Sequence, residues 1–211
     1  MQASKENIRV QQLVAVVSVI LLVIKFIAWY LTRSVAVLTD AMESIVNVAA
    51  GFIGLYSLYV AAKPRDKDHP YGHGKAEFLS AAFEGTLIGV AGLVILYQSF
   101  WQLLYPVTLS RLDTGIWLVS LTAIINFVTG WYCIKTGKRN NSLALIASGK
   151  HLQSDTISTI GIIVGLVLLY FTGYVWIDSA VAMIFGSMIL FTGYSILRKS
   201  IAGIMDEADE Q

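Results

Sequence analysis

Cysteine occurs once in the 211 residues, at Cys133. A single thiol excludes an internal disulfide and any zinc cluster built on thiolates, so metal chemistry here falls to His, Asp, Glu and Asn. Charge is sparse: Asp, Glu, Lys and Arg together make up 14% of the chain and leave a net charge of +1, which argues against nucleic acid as a partner. Apolar residues fill the difference at 56%, a composition foreign to a soluble domain of this length and expected of an integral membrane protein. No small-residue cleavage site follows the first apolar run, which is therefore expected to stay in place as a helix rather than act as a signal peptide.

Six apolar segments are long enough for a bilayer core of about 30 Å, which takes roughly 20 helical residues. They cover approximately 10–31, 36–62, 76–104, 114–135, 143–172 and 175–198. Polar breaks separate them: Thr32, Arg33 and Ser34; the run from Lys63; Tyr105 and Pro106; the run from Gly137; and Gly173 with Tyr174. The expected fold is an all-α membrane protein, a bundle of six transmembrane helices over 1–200 with a short tail over 201–211. In that topology Lys5, Arg9, Lys63, Arg65, Lys67, Lys75, Lys135, Lys138, Arg139, Arg198 and Lys199 share one side, against Arg33 and Arg111 on the other. The positive-inside rule then puts both termini in the cytoplasm. Gly85 with Gly89, and Gly161 with Gly165, have the spacing that lets membrane helices approach closely.

The second segment carries Asp40, Glu43 and Asn47, and the fifth carries His151 and Asp155. Spacings of three and four residues stack each set along one helical stripe. Ionisable groups at membrane depth are costly, and three of them together call for a shared reason. Glu43, Asn47, His151 and Asp155 offer three oxygens and one nitrogen, enough for a tetrahedral cation site, with Asp40 one turn away as a further candidate. Two carboxylates neutralise one divalent ion while the imidazole and the amide add no charge. The competing reading for a buried Asn or Ser, such as Asn126 and Ser154, is an interhelical hydrogen bond. Asp40 can equally cap its helix or pair with a lysine, and Lys25 and Glu84 can pair, snorkel or move protons.

A second cluster lies between the second and third segments, where Asp66, Asp68, His69, His73 and Glu77 gather around Pro70, Gly72 and Gly74. This is either a cation site and entrance funnel or a hydrated hairpin whose histidines cap the next helix.

Taken together, the six segments, the LeuThrAspAlaMetGluSer run from Leu38, HisProTyrGlyHisGlyLysAlaGlu from His69, HisLeuGlnSerAsp from His151 and the IleMetAspGlu run after the last segment resemble the cation diffusion facilitator family. The resemblance covers essentially the whole chain. It implies secondary transport of zinc and related divalent metals out of the cytoplasm, with Glu43, Asn47, His151 and Asp155 as the transport site and Asp66, His69 and His73 as a second metal site in the loop. It implies a homodimer. The chain departs from the family's usual pattern in two places. Asp or His is usual where Glu43 and Asn47 stand, and a cytoplasmic ferredoxin-like domain usually follows the MetAspGlu run, whereas this sequence stops at Gln211 as a natural short form or a truncation.

The expected mechanism is alternating access with proton antiport. An unperturbed imidazole titrates near about 6.5 and its nitrogen is contested by metal and proton, which makes His151 the natural proton carrier, assisted by Asp155 and Glu43. A His ligand favours zinc, with cadmium next; the oxygen-rich remainder leaves manganese, iron and cobalt as alternatives. Divalent metals, protons and lipid are the expected partners, and no cofactor is expected beyond the transported ion. A membrane scaffold or metal sensor that binds without transport is the competing class. An enzyme is not expected, because the chain offers no nucleophile with a base at hand.

Overall fold

The computed structural model describes residues 2–61 and 75–205, and these form helices and turns. The six helices are α1 (Gln2–Thr32), α2 (Val35–Ala61), α3 (Lys75–Leu104), α4 (Leu112–Arg139), α5 (Leu143–Thr172) and α6 (Trp176–Ile204). Five of them contain stretches long and apolar enough to cross a membrane: Arg9–Thr32, Phe78–Leu104, Leu112–Arg139, Ser148–Thr172 and Trp176–Ile204. These mark an integral, multi-pass membrane protein. Helix α2 has 27 residues, about 40 Å at roughly 1.5 Å per residue, the length of a span.

The helices outrun the apolar segments at several ends. Helix α1 starts at Gln2 rather than near residue 10, α4 reads through Gly137 to Arg139, and α6 continues to Ile204, so the tail expected from residue 201 begins inside a helix. Hydropathy reports only the part of a helix that needs lipid, whereas backbone hydrogen bonding carries the helix on into water until something stops it. Left-handed turn residues lie at the helix ends: Arg33 follows α1 at φ 59° and Asn141 follows α4 at φ 51°, Arg111 opens α4 as its N-cap at φ 47°, and Gly173 closes α5 as its C-cap at φ 72°. The Gly173 amide donates back to the Leu169 carbonyl at 2.8 Å.

Side-chain contacts sort the helix ends into two groups. At one end the Glu6 carboxylate accepts from Arg139 and, at 3.0 Å, from Asn140. The Asn140 and Arg139 hydrogen bonds hold the Glu6 carboxyl below its ordinary range. Gln11 bonds Ser148 at 3.3 Å, and Lys75 Nζ donates to the Ile204 carbonyl at 2.9 Å. This end therefore gathers the starts of α1, α3 and α5 with the ends of α4 and α6, and it carries most of the described Lys and Arg residues. At the other end Ser110 bonds the Leu31 carbonyl at 2.7 Å, and Asp178 links the starts of α2 and α6 to the end of α3. We call these the basic end and the far end.

The burial pattern is inverted relative to a soluble bundle. Phe52, Tyr56, Phe171 and Phe191 point outward, while Lys25, Asp40, Thr159, Asp178 and Asn126 are buried. Lipid solvates the apolar rim, so polar side chains collect where helices can satisfy one another. Two apolar clusters bracket the polar interior: Ala28, Val35, Val37, Ile95, Val119, Ile162 and Leu166 toward the far end, and Val10, Val14, Cys133, Leu145 and Leu152 toward the basic end.

Helices α3 and α6 meet backbone to backbone. A Cβ on Gly193 would stand 2.5 Å from the Gly89 amide nitrogen and 2.8 Å from the Gly85 carbonyl oxygen, whereas a Cβ on Gly89 itself would meet nothing within 4 Å. The expected small-residue pattern thus serves this contact, with Gly89 receiving Gly193 through its backbone. In α5, Gly161 and Gly165 make room for Phe185 and Val181 of α6. Gly193→Ala is expected to destabilise the detergent-solubilised protein by about 1–3 kcal/mol through overpacking, and Gly89→Ala to leave it unchanged or slightly more stable. Equal melting temperatures for the two variants would remove Gly193 from the α3 and α6 contact.

Candidate metal centre

A cavity of about 620 Å³ opens among α1, α2, α4 and α5. Its wall runs from Gln11, Gln12 and Ser148 near the basic end to Lys25, Ser44, Asn47 and Asp155 in the interior, past Asn126 and His151. From Gln11 to Lys25 is 14 residues, a depth of roughly 21 Å along α1. The far-end apolar cluster lies beyond it.

Helical spacing brings two pairs into this wall. His151 and Asp155 lie one turn apart on α5, and their Nε2 and Oδ2 atoms are 3.8 Å apart. Asn47 of α2 reaches the same carboxylate oxygen, with Nδ2 donating to Asp155 Oδ2 at 3.2 Å. Asp155 Oδ2 is thus the common point of three side chains from two helices. A tetrahedral ion with ligand bonds of about 2.0–2.1 Å separates its ligand atoms by about 3.3 Å. The two distances observed bracket that edge. The Asn47 amide, rotated by half a turn about its last bond, offers oxygen where nitrogen now stands. The imidazole is 56% exposed and the Asp155 side chain only 12%, so the pair leads from the open cavity inward.

Glu43 shares the helix but not the wall. It is half-buried, makes no hydrogen bond or ion pair among the described residues, and does not line the cavity. No three His, Cys, Asp or Glu side chains among the described residues stand close enough to hold a metal on their own. The convergence therefore consists of one imidazole, one carboxylate and one amide.

Asp40 stands deeper, and its chemistry is different. Lys25 Nζ donates to Asp40 Oδ1 at 2.8 Å and to Ser44 Oγ at 2.9 Å. Both charged side chains are 2% exposed. Thr159 Oγ1, one turn beyond Asp155, lies 3.0 Å from the same Asp40 oxygen and 2.8 Å from the Asp155 carbonyl. Of the alternatives open for these two residues, the ion pair is the one formed. Glu84 is half-buried on α3 with no hydrogen bond or ion pair among the described residues. Asn126 is buried in the cavity wall and Ser154 is exposed.

The loop cluster cannot be placed in this way: Asp66, Asp68, His69 and His73 lie outside the described residues, as does the side chain of Glu77 in the first turn of α3.

Sequence reasoning passed over Asp178. This carboxylate, on the first turn of α6, accepts from Ser34 Oγ at 2.5 Å, from the Val35 amide at 2.8 Å, from the Ala36 amide at 3.3 Å and from Gln102 Nε2 at 3.0 Å. Ser34 in turn accepts from the Val37 amide at 3.0 Å, and its carbonyl accepts from Leu38 at 3.1 Å. All four amides that open α2 are thereby satisfied. An acid in the first turn of a helix was the only available signal, and that signal suggests complementing the helix dipole rather than anchoring a neighbour.

Comparison with known proteins completes the description. Residues 12–205 match a family described as the cation efflux transmembrane domain. The chain is 38% identical over 185 residues to an uncharacterized transporter of Synechocystis sp., an alignment covering 88% of this chain and 60% of the relative. It is 28% identical over 194 residues to the metal cation efflux system protein CzcD of Cupriavidus metallidurans, covering 89% of this chain and 60% of that protein. To the cation-efflux pump FieF of Yersinia enterocolitica it is 32% identical over 197 residues, covering 92% and 64% respectively. The chain thus spans about 60% of the length of these relatives.

Proposed function

We propose, from the premise that this chain belongs to the cation diffusion facilitator family, that it carries divalent metal cations out of the cytoplasm in exchange for protons, with zinc as the first substrate and cadmium the second. The observation that carries this reading is the meeting of Asn47, His151 and Asp155 at one carboxylate oxygen on the wall of a deep cavity. In that reading the cavity is the cytoplasmic vestibule, since its wall reaches the basic end at Gln11, Gln12 and Ser148.

The steps follow from the side chains. A hydrated ion enters past Gln11 and Ser148 and exchanges water for the His151 nitrogen and the Asp155 oxygen. Asn47 supplies an amide oxygen, and Glu43, on the same face of α2, joins as that helix turns during rocking of the bundle. The second carboxylate then balances the ion's charge. Release on the far side leaves an imidazole and two carboxylates ready for protons, and reprotonation returns the site inward. Metal and proton compete for the same atoms, which is the chemical basis of exchange. A homodimer in the membrane and a further cation site at Asp66, His69 and His73, with Asp68 and Glu77 beside them, belong to the same proposal.

Asn47 favours a second reading for the substrate. An amide oxygen where an imidazole nitrogen can stand makes the site more oxygen-rich and harder, which suits manganese, iron or cobalt. Uptake into proteoliposomes under an imposed pH gradient, compared across zinc, cadmium, manganese and iron, decides among these. Gradient-driven flux of zinc above the others is expected. Flux led by manganese or iron would move the substrate assignment, and no flux of any metal from folded protein would leave a scaffold or sensor that binds without carrying.

A further inference from the structure

The ion pair below the candidate centre has a geometry that a purely structural pair does not need. Lys25 reaches from α1 into the cavity wall. Its ammonium is held by two oxygens, Asp40 Oδ1 at 2.8 Å and Ser44 Oγ at 2.9 Å. Thr159 Oγ1 stands 3.0 Å from that same Asp40 oxygen. The other carboxylate oxygen, Asp40 Oδ2, is buried and has no hydrogen-bond partner among the described residues. An all-oxygen nest with one spare carboxylate oxygen is the donor set of a hard-cation site, here filled by a cation covalently tied to the chain.

Its placement relates it to the transport route. Ser44 lies three residues from Asn47 along α2, and Thr159 lies four from Asp155 along α5. The nest is therefore the next level of the same two helices, one to two turns nearer the far end. A mobile divalent ion that has reached Asn47 and Asp155 meets a fixed positive charge immediately below, and the Asp40 oxygen that holds this charge is already taken.

We propose that Lys25 is a specificity-determining tethered cation: it occupies an oxygen nest of Asp40, Ser44 and Thr159, withholds Asp40 from the transported metal, and so confines that metal to the nitrogen-containing level of Asn47, His151 and Asp155. This rests on the transport site proposed above. Removing the ammonium leaves Asp40 buried without a counter-ion, and a hard, oxygen-preferring divalent ion is what that nest then takes. The imidazole level above keeps its preference for zinc.

Calorimetric titration of the purified full chain with Zn²⁺ and with Mn²⁺ tests this. Lys25→Met is expected to add a Mn²⁺-binding equivalent absent from the wild type, or to raise Mn²⁺ affinity relative to Zn²⁺ by about tenfold or more. Adding Asp40→Asn to Lys25→Met is expected to abolish that gain. A folded Lys25→Met protein with wild-type stoichiometry and wild-type metal preference overturns the proposal. Should Lys25→Met not fold, Asp40→Asn alone serves: it keeps the ammonium but frees it to turn toward Asp155, so Zn²⁺ affinity is expected to fall about tenfold, and unchanged affinity overturns the proposal. A wild type that binds neither metal overturns the transport site itself and the proposal with it, whereas a Zn²⁺-binding wild type with indifferent variants overturns the tethered-cation role alone.

Discussion

Asp155→Ala is expected to abolish pH-driven metal flux, by about 100-fold or more, while leaving a folded protein with a melting temperature close to that of the wild type. The size of the effect follows from the position of one atom. Among the described residues Asp155 Oδ2 is the point met by both Asn47 and His151, at 3.2 and 3.8 Å, so deleting it removes a ligand of the proposed site and also the contact that orients the other two. Loss of a group that merely orients a ligand already costs about 10–100-fold in metal affinity. Stability is expected to survive because the side chain lies on a cavity wall, where water can take the place of the carboxylate. The α5 cap at Ser142 and the Thr159 hydrogen bond to the Asp155 backbone carbonyl are also untouched. His151→Ala is expected to weaken flux less, since its imidazole stands at the exposed side of the pair, 56% accessible. Flux equal to that of the wild type in both variants would remove this pair from the transport route.

The contrast between Asp155 and Asp40 shows what a sequence can and cannot say about buried carboxylates. Spacing alone put Asp40, Glu43 and Asn47 on one stripe, and that stripe is real. It did not distinguish an acid facing a cavity from an acid facing a lysine, because Lys25 lies on another helix and its reach depends on how α1 and α2 cross. Glu43 illustrates the same gap: it shares the stripe of Asn47, yet Asn47 lines the cavity and Glu43 does not. The apolar segments located the helices correctly. They misplaced several ends, most clearly in α1 and α4, because polar residues are no obstacle to a helix once it has left the lipid. Membership of the family was legible in the combined motifs, since residues separated by whole helices recur in order and no single motif had to carry the identification.

Asp178 is the residue whose replacement is expected to cost the fold most. Its partners span Ser34, Val35, Ala36 and Gln102, up to 144 positions away in sequence, a convergence that no local pattern encodes. Asp178→Ala leaves two amides, a hydroxyl and a carboxamide buried without an acceptor, at about 1–3 kcal/mol for each group left unmet. Relaxation and water entry limit the total, and a loss of about 3–5 kcal/mol is the expected net, the range seen when one member of a buried charged network is removed. Asp178→Asn keeps one acceptor oxygen but turns an NH₂ group toward donors, so it is expected to fall between the wild type and the alanine variant. Amide exchange reads the effect locally: protection at Val35 and Ala36 is expected to drop before protection elsewhere in α2, while the Val37 and Leu38 amides, bonded to Ser34, follow only as Ser34 loosens. Unchanged melting together with unchanged protection at Val35 would mean that α2 is held by apolar packing alone. If the anchor does hold, its function follows from where α2 leads, because the helix that begins under Asp178 carries Ser44 and Asn47 into the cavity wall. The far-end carboxylate then fixes the register of one wall of the proposed metal route against α6, and a loosened start to α2 is expected to reduce metal affinity even though Asp178 lies outside the proposed site.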